Sequence, residues 1–591
     1  MKNSERHYQS KIDILKKIGN YIPFWLSLIA LLAVIIESGF DISPFNRNRM
    51  EWLFIITLIA GLISDISRYF LRTERPKVKV WLYDSLFLLL LLIIIFDRLR
   101  LIGLPLSGSL YITYFAIFLI FIRELSAHDI DFKRKTISPA QLFLASFIFI
   151  IAAGTASLML PKATSSGISF IDALFTCASA VCVTGLSVVD TGTYFTTFGQ
   201  ILIVILIQIG GLGILTFTSY FSYFFKGETT FDNQLLLKDM TSTDKITEIF
   251  TTLKRIILVT FTIEAIGAIL IYTSINETVV ANSGDRVFFA IFHSVSGFCN
   301  AGFSTLPNNL YELSVRYNYF LHLTIAFLII LGGLGFPIVF NFIKYLKHII
   351  LNRVIPLLTK KEQKHKPWVI NINSRIVLIT TAILLVGGTI FFYISEFNNT
   401  LAEHNGFGKI VTAFFGATTP RTAGFNSIDT GAMNFMTVML VFFLMWVGGS
   451  PASTAGGIKT STFAIAFLNM ISVAKGKKRI EIYRREISED SVRRSFAIIA
   501  LSFLVIGFSI ILISYFDTSL DTKAIAFETF SAMGTVGLSL GITAKLSSAS
   551  KFIIVLTMFI GRVGMLTILM AFMNKTRHQK YRYPTEEILI N

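Results

Sequence analysis

The stretch Thr176–Asp190 reads TCASAVCVTGLSVVD, and three later stretches repeat its pattern. Aligned on one glycine, the four read ALFTCASAVCVTGLS with Gly185, AIFHSVSGFCNAGFS with Gly302, TAFFGATTPRTAGFN with Gly424 and IAFETFSAMGTVGLS with Gly537. A phenylalanine stands ten residues before each glycine (Phe175, Phe292, Phe414, Phe527) and a hydroxyl residue six before it (Ser179, Ser296, Thr418, Ser531). Self-similarity of this kind marks an internally repeated architecture. Small-residue clusters follow at 25, 30, 24 and 24 residues beyond the glycines: GGLG from Gly210, GGLG from Gly332, GGSP from Gly448 and GRVG from Gly561. Each unit therefore reads as helix, short loop with a glycine, helix.

Composition sets the class. Of 591 residues, 53% are hydrophobic and only 15% charged, and many apolar runs reach span length, about 20 residues. The expected fold is an all-α integral membrane protein with four helix–pore loop–helix repeats in pseudo-fourfold symmetry around one pore, plus about four extra N-terminal transmembrane helices. About twelve spans are expected, near 22–40, 52–70, 81–97, 108–124, 140–160, 198–224, 254–275, 318–345, 373–396, 435–470, 495–516 and 551–573. The segments near 171–185, 287–302, 409–424 and 524–537 are too short and broken to cross, and read as re-entrant loops. The expected divisions are an N-terminal extension (1–132) and units at 133–226, 227–347, 348–480 and 481–591.

Lysine and arginine clusters at 2–17, 68–79, 133–135, 344–366, 475–494 and 575–582 belong to the cytoplasm by the positive-inside rule. Both termini are then inside and the four loops outside. The net charge of +17 is explained by topology, and its dispersal over several loops argues against a nucleic-acid partner. The first apolar run is span-length without a cleavage signal, so no removable leader is expected. Cys177, Cys182 and Cys299 have no metal-ligand spacing and read as small packing residues. Glu37, Asp65 and Asp84 lie in the extension, where a position near a span end or facing protein partners is expected ahead of a sensing role. Ser109 to Ile122 holds no arginine ladder, which disfavours a voltage sensor.

Irregular backbone at membrane depth is tolerated where it is buried in protein or lines a watery cavity. Four short helices running inward would aim their negative C-terminal ends at a cation, and the strands climbing back would offer carbonyls in place of its water shell. Glycine reaches the backbone angles this needs without a side chain in the passage. The candidate filter residues are Val183, Thr184 and Gly185; Asn300, Ala301 and Gly302; Thr422, Ala423 and Gly424; and Thr535, Val536 and Gly537. None is a carboxylate, which disfavours a divalent ion and points to potassium.

These motifs resemble the Trk/Ktr/HKT superfamily of potassium transporters, over about residues 140–591: VTGLS at 183–187, TAGFN at 422–426, TVGLS at 535–539 and GGSPASTAGGIKT at 448–460. In that family four filter glycines set selectivity, and members with serine in the first loop favour sodium. The resemblance implies potassium as the transported ion bound by the filter residues, no cofactor in this chain, a homodimer, and a cytosolic ring of nucleotide-binding regulatory subunits, so that nucleotide sits on that separate partner.

Two departures from symmetry stand out. Gly448, Gly449, Ser450, Pro451, Ala452, Ser453, Thr454, Ala455, Gly456 and Gly457 cannot comfortably hold a helix. The third unit's second span alone is expected to break, and in the family this stretch is the gating loop. Lys459 would sit just beyond it, facing the cytoplasmic vestibule. In the column of Gly211, Gly333 and Gly449 the fourth unit has Arg562, a charge that should face the pore as a barrier to cations; family members similarly carry an arginine there. His293 and Glu528 share a column on the pore helices, where hydrogen bonding behind the filter is expected, and Asp190 and Asp429 lie near the outer mouth.

The loops Lys226–Arg255 and Val354–Arg375 could dock a partner, and the closing YPTEEILIN resembles the dimer-interface tail of Ktr relatives. The GGLG clusters lie within spans, so the chain has no nucleotide-binding fingerprint. No nucleophile or metal constellation suggests an enzyme. The expected function is channel-like potassium uptake across the plasma or inner cell membrane, the alternative being a sodium-conducting or a sodium- or proton-coupled transporter.

Overall fold

The computed structural model describes residues 22–41, 43–71, 78–98, 110–127, 139–213, 249–277, 279–280, 282–349, 371–477 and 479–572. Helices occupy each of the twelve places expected of spans. Four come first: α1 (Ile22–Gly39), α2 (Pro44–Leu71), α3 (Val78–Arg98) and α4 (Leu110–Ala127). The first unit follows with α5 (Pro139–Leu158), α6 (Phe170–Val181) and α7 (Thr197–Leu212), the second with α8 (Ile249–Ser274), α9 (Ser283–Phe298), α10 (Tyr319–Leu334) and α11 (Phe336–Ile349). The third contains α12 (Ile372–Glu396), α13 (Gly406–Thr418), α14 (Phe435–Trp446) and α15 (Thr460–Ala474). The fourth contains α16 (Glu489–Phe516), α17 (Thr522–Gly534), α18 (Ser548–Val563) and α19 (Met565–Phe572). A two-stranded hairpin, Glu481–Ile482 with Arg485–Glu486, joins the last two units. The loop at Lys226–Arg255 lies mostly, and the YPTEEILIN tail wholly, outside the described residues, as does most of Val354–Arg375.

The long helices turn apolar side chains outward, as a lipid-facing surface requires. In α16, Phe503, Leu504, Phe508 and Ile511 are exposed while Ser502, Ile506, Ser509 and Ile513 are buried. Polar residues on the inner stripe pair across helices, as Ser509 does with Thr557 of α18 at 3.0 Å.

One expectation needs correction. The spans near 318–345 and 551–573 read as continuous, with the third unit alone broken. Instead α10 and α11 meet at 103°, and the break falls on Gly335 (φ +80°), the last residue of GGLG. Gly213 and Gly564 hold the same column with φ of +76° and +88°, and α7 and α18 end there. Hydropathy carries no trace of a left-handed residue, so an apolar run hides the break; L side chains resist that conformation and glycine does not.

Three acids of the N-terminal helices, Glu37, Asp65 and Asp84, are held by ion pairs. Arg123 of α4 bridges Asp65 of α2 and Asp84 of α3, the latter at 3.1 Å, and all three are buried. Glu37 pairs with Arg47 at 3.4 Å. Removing the cation from between two buried carboxylates costs about 3–5 kcal/mol. Arg123→Leu should therefore loosen α2 to α4, read as faster proteolysis of that region in detergent.

Candidate functional site

The four short helices α6, α9, α13 and α17 end where the repeated glycine motifs begin, and the chain beyond each reverses in the same way. Val183, Asn300, Thr422 and Thr535 have φ of +57°, +61°, +77° and +50°. Two residues on, Gly185, Gly302, Gly424 and Gly537 have φ of +91°, +69°, +80° and +95°. Left-handed residues at alternate positions turn successive carbonyls to a common side. The intervening Thr184, Ala301, Ala423 and Val536 are fully buried, so side chains point into protein.

The reversal is pinned to the helix above it. The amides of Thr184, Ala301 and Val536 donate to the carbonyls of Ser179, Ser296 and Ser531 at 2.8, 2.7 and 2.8 Å. The hydroxyls of Ser179 and Ser531 accept from the amides of Gly185 and Gly537 at 3.0 Å, whereas Ser296 donates to the Phe303 carbonyl at 2.8 Å. In the third loop Thr419 takes this place, not the aligned Thr418: its hydroxyl donates to the Phe425 carbonyl at 2.6 Å and its carbonyl accepts from Ala423 at 3.0 Å. Thr418 bonds back to Phe414 inside α13. Pro420, with no N–H to give the helix, follows Thr419 and accompanies the one-residue shift.

The four loops touch in a closed cycle. A Cβ placed on Gly185 would lie 2.3 Å from the Ala301 carbonyl oxygen, on Gly302 2.4 Å from that of Ala423, on Gly424 2.2 Å from that of Val536, and on Gly537 2.3 Å from that of Thr184. No side chain fits at any of these distances. All four glycines line one cavity of about 250 Å³, with Ser187, Asp190, Ser304, Asn309 and Ser539 on its wall. Asp190 caps the short turn Thr191–Tyr194; Asp429 caps Gly431 at 2.9 Å, beside the cavity residue Thr430. Behind the loops, His293 bonds Ser304 at 2.9 Å, and Glu528 accepts from Thr543, whose oxygen lies 3.0 Å from that of Ser539. The two residues of one column thus tie equivalent returning segments. The three cysteines are buried and free.

Beneath the glycines, the small-residue clusters make close backbone contact. A Cβ on Gly210, Gly332 or Gly561 would lie 2.1, 1.9 or 2.2 Å from the carbonyl oxygens of Val181, Phe298 and Met533, the corresponding helix ends. In the third unit this place is taken by the unwound segment between α14 and α15. Gly448 and Gly449 enter it, and its backbone is bonded to the second unit: Ser450 donates to the Gly333 carbonyl at 2.9 Å, Thr454 to that of Gly332 at 3.3 Å, and the Thr454 hydroxyl to that of Phe298 at 3.1 Å. Pro451, Ala452 (φ +55°) and Ser453 turn against α11, where Phe336 donates to the Ala452 carbonyl at 3.2 Å. Gly456 meets the side chain of Thr535, and Gly457 meets Gly534. Lys459 folds back, its ammonium on the Ala455 carbonyl at 2.7 Å. Arg562 donates to the Thr454 carbonyl of this segment and to the Gly210 carbonyl of the first unit. One guanidinium therefore joins α18 to the unwound segment and to the end of α7.

Among the buried charged groups that sequence reading passed over are Arg421 and Glu264. Arg421, three residues before Gly424, is 8% exposed and reaches the Gly448 carbonyl only at 3.4 Å. Glu264 of α8 is buried, with the Cys299 sulfur 3.8 Å from its carboxylate. An isolated charge in an apolar run was the available signal. A poorly bonded buried charge contributes little to stability. Arg421→Met is accordingly expected to keep or raise the Tm of the purified protein, the opposite of Arg123→Leu.

Such a molecule, with long helices that turn apolar side chains outward and four chain reversals gathered at one cavity, is an α-helical membrane transporter. The chain belongs to the TrkH family, whose model, described as "Cation transport protein", matches residues 109–582. It is 36% identical to the potassium/sodium uptake protein NtpJ of Enterococcus hirae, over 77% of this chain and 98% of that protein. It is also 36% identical to the Ktr system potassium uptake protein B of Bacillus subtilis, over 77% and 97%. The crystal structure of the potassium transporter TrkH from Vibrio parahaemolyticus superimposes with a TM-score of 0.58 over 88% of this chain and 98% of that one, at 15% identity, and shows the fold.

Proposed function

We propose that the chain carries potassium into the cell through one path enclosed by four units, 133–226, 227–347, 348–480 and 481–591, in pseudo-fourfold arrangement, with residues 1–132 as an added helical region. The observation that carries this reading is the closed cycle in which each filter glycine abuts the carbonyl before the next. Residues 183–185, 300–302, 422–424 and 535–537 would coordinate the ion through backbone oxygens, since carbonyl rings of moderate field suit a large, weakly hydrated cation. Residues 448–457 with Lys459 form the gate, and Arg562 is the constriction that holds it. No step needs a cofactor or a reacting group, so the protein acts as a transporter and not as an enzyme.

Basic residues between spans favour both termini on the cytoplasmic side of the cell membrane. A homodimer, served by a cytosolic ring of nucleotide-binding subunits, follows from the family resemblance. A second reading, in which sodium also passes or is coupled to uptake, is favoured by the name of the E. hirae relative. Potassium, rubidium, sodium and lithium fluxes into proteoliposomes separate the two. Potassium and rubidium passing without sodium supports the first, and equal sodium flux, or flux that requires a proton or sodium gradient, supports the second.

A further inference from the structure

The glycine cycle is nearly symmetric, but one of its carbonyls is not free to serve an ion alone. Asn309 enters the cavity from the loop after the second filter strand, and its side-chain amide nitrogen donates to the Gly302 carbonyl oxygen at 3.1 Å. The orientation of that amide is fixed independently. Its oxygen accepts from the Leu310 N–H at 2.9 Å, a group that can only donate, so the other atom must be the NH₂. Asn309 is left-handed (φ +56°), a conformation that asparagine tolerates better than most residues. Leu310 anchors it, fully buried in the same apolar cluster as Phe298, Ala423 and Phe425. Among the described residues, no side chain donates to the carbonyls of Gly185, Gly424 or Gly537.

We propose that Asn309 is a specificity-determining residue of the ion path: its amide holds the Gly302 carbonyl and weakens the field that the outermost oxygen ring offers an entering monovalent cation. This rests on the filter reading above. A carbonyl shared with an N–H donor gives less to an ion, and a pinned carbonyl cannot swing inward around a smaller one. Both effects penalise sodium more than potassium, because the smaller ion needs a stronger, closer shell to replace its water.

The test compares potassium and sodium fluxes in proteoliposomes for the full chain, Asn309→Ala, Asn309→Asp and Gly185→Ser. A flux ratio is independent of how much protein reconstitutes. A net hydrogen-bond contribution corresponds to a fall of about three- to tenfold in potassium preference for Asn309→Ala. Asn309→Asp keeps the shape and the Leu310 bond but replaces the donor by an anionic acceptor. Its ratio should fall further, with stronger block by external barium. If Asn309→Asp, or both variants, keep the wild-type ratio while Gly185→Ser loses it, Asn309 has no such role. If Gly185→Ser also keeps it, the filter reading itself fails.

Discussion

Replacing Gly185 by serine should remove most of the preference for potassium over sodium while leaving the protein folded. The backbone there has φ +91°, a region in which an L side chain costs roughly 1–2 kcal/mol. A Cβ would lie 2.3 Å from the Ala301 oxygen, so the second loop must shift, and the atom displaced first is a proposed ion ligand. Each glycine abuts the next loop's carbonyl, so the disturbance passes around the cycle. A lost ligand, worth about 1–3 kcal/mol, changes the potassium to sodium flux ratio by about 5- to 150-fold. Gly406, at the start of α13, has nothing within 4 Å of its Cβ position, and Gly406→Ser should leave the ratio unchanged. Equal ratios for the two variants would remove the glycine cycle from the account of selectivity.

The four motifs were legible because the chain states them four times: a single VTGLS would have meant little, and the aligned phenylalanines and glycines located every reversal. Within the motifs, resolution was limited where the sequence is degenerate. Thr418 and Thr419 are adjacent hydroxyls, and only the bond to Phe425 distinguishes them. The breaks at Gly335 and Gly564 were missed because hydropathy sums over side chains and is blind to φ. The third unit's unwound segment was legible for the opposite reason, its glycines and Pro451 being poor helix formers. Asn309 gave no usable signal, and the charge of Arg421 did not reveal its partner. Their partners, Gly302 and Gly448, are backbone atoms brought near by the tertiary fold, and a sequence does not record which carbonyl a side chain will reach.

Neutralising Arg562 should raise potassium flux without altering selectivity. The guanidinium bonds the Thr454 and Gly210 carbonyls, and in the proposed path two functions coincide in it. On that proposal it places a fixed positive charge in the path of the cations; two unit charges 4 Å apart repel by about 4 kcal/mol at an effective dielectric of 20. It also tethers the unwound segment of the third unit to the first, through charge-assisted bonds worth about 1.5–3 kcal/mol each. Arg562→Gln removes the charge and most of the tether, and tenfold or greater acceleration of flux is expected. Arg562→Lys separates the two contributions, because an ammonium keeps the charge but cannot bond both carbonyls with the planar fork of a guanidinium. If the charge is the barrier, lysine behaves as wild type; if the tether is, lysine approaches glutamine. The potassium to sodium ratio should be unchanged in both, since the two carbonyls that Arg562 bonds, of Thr454 and Gly210, lie outside the four proposed filter strands. A glutamine variant no faster than wild type would show that the constriction lies elsewhere.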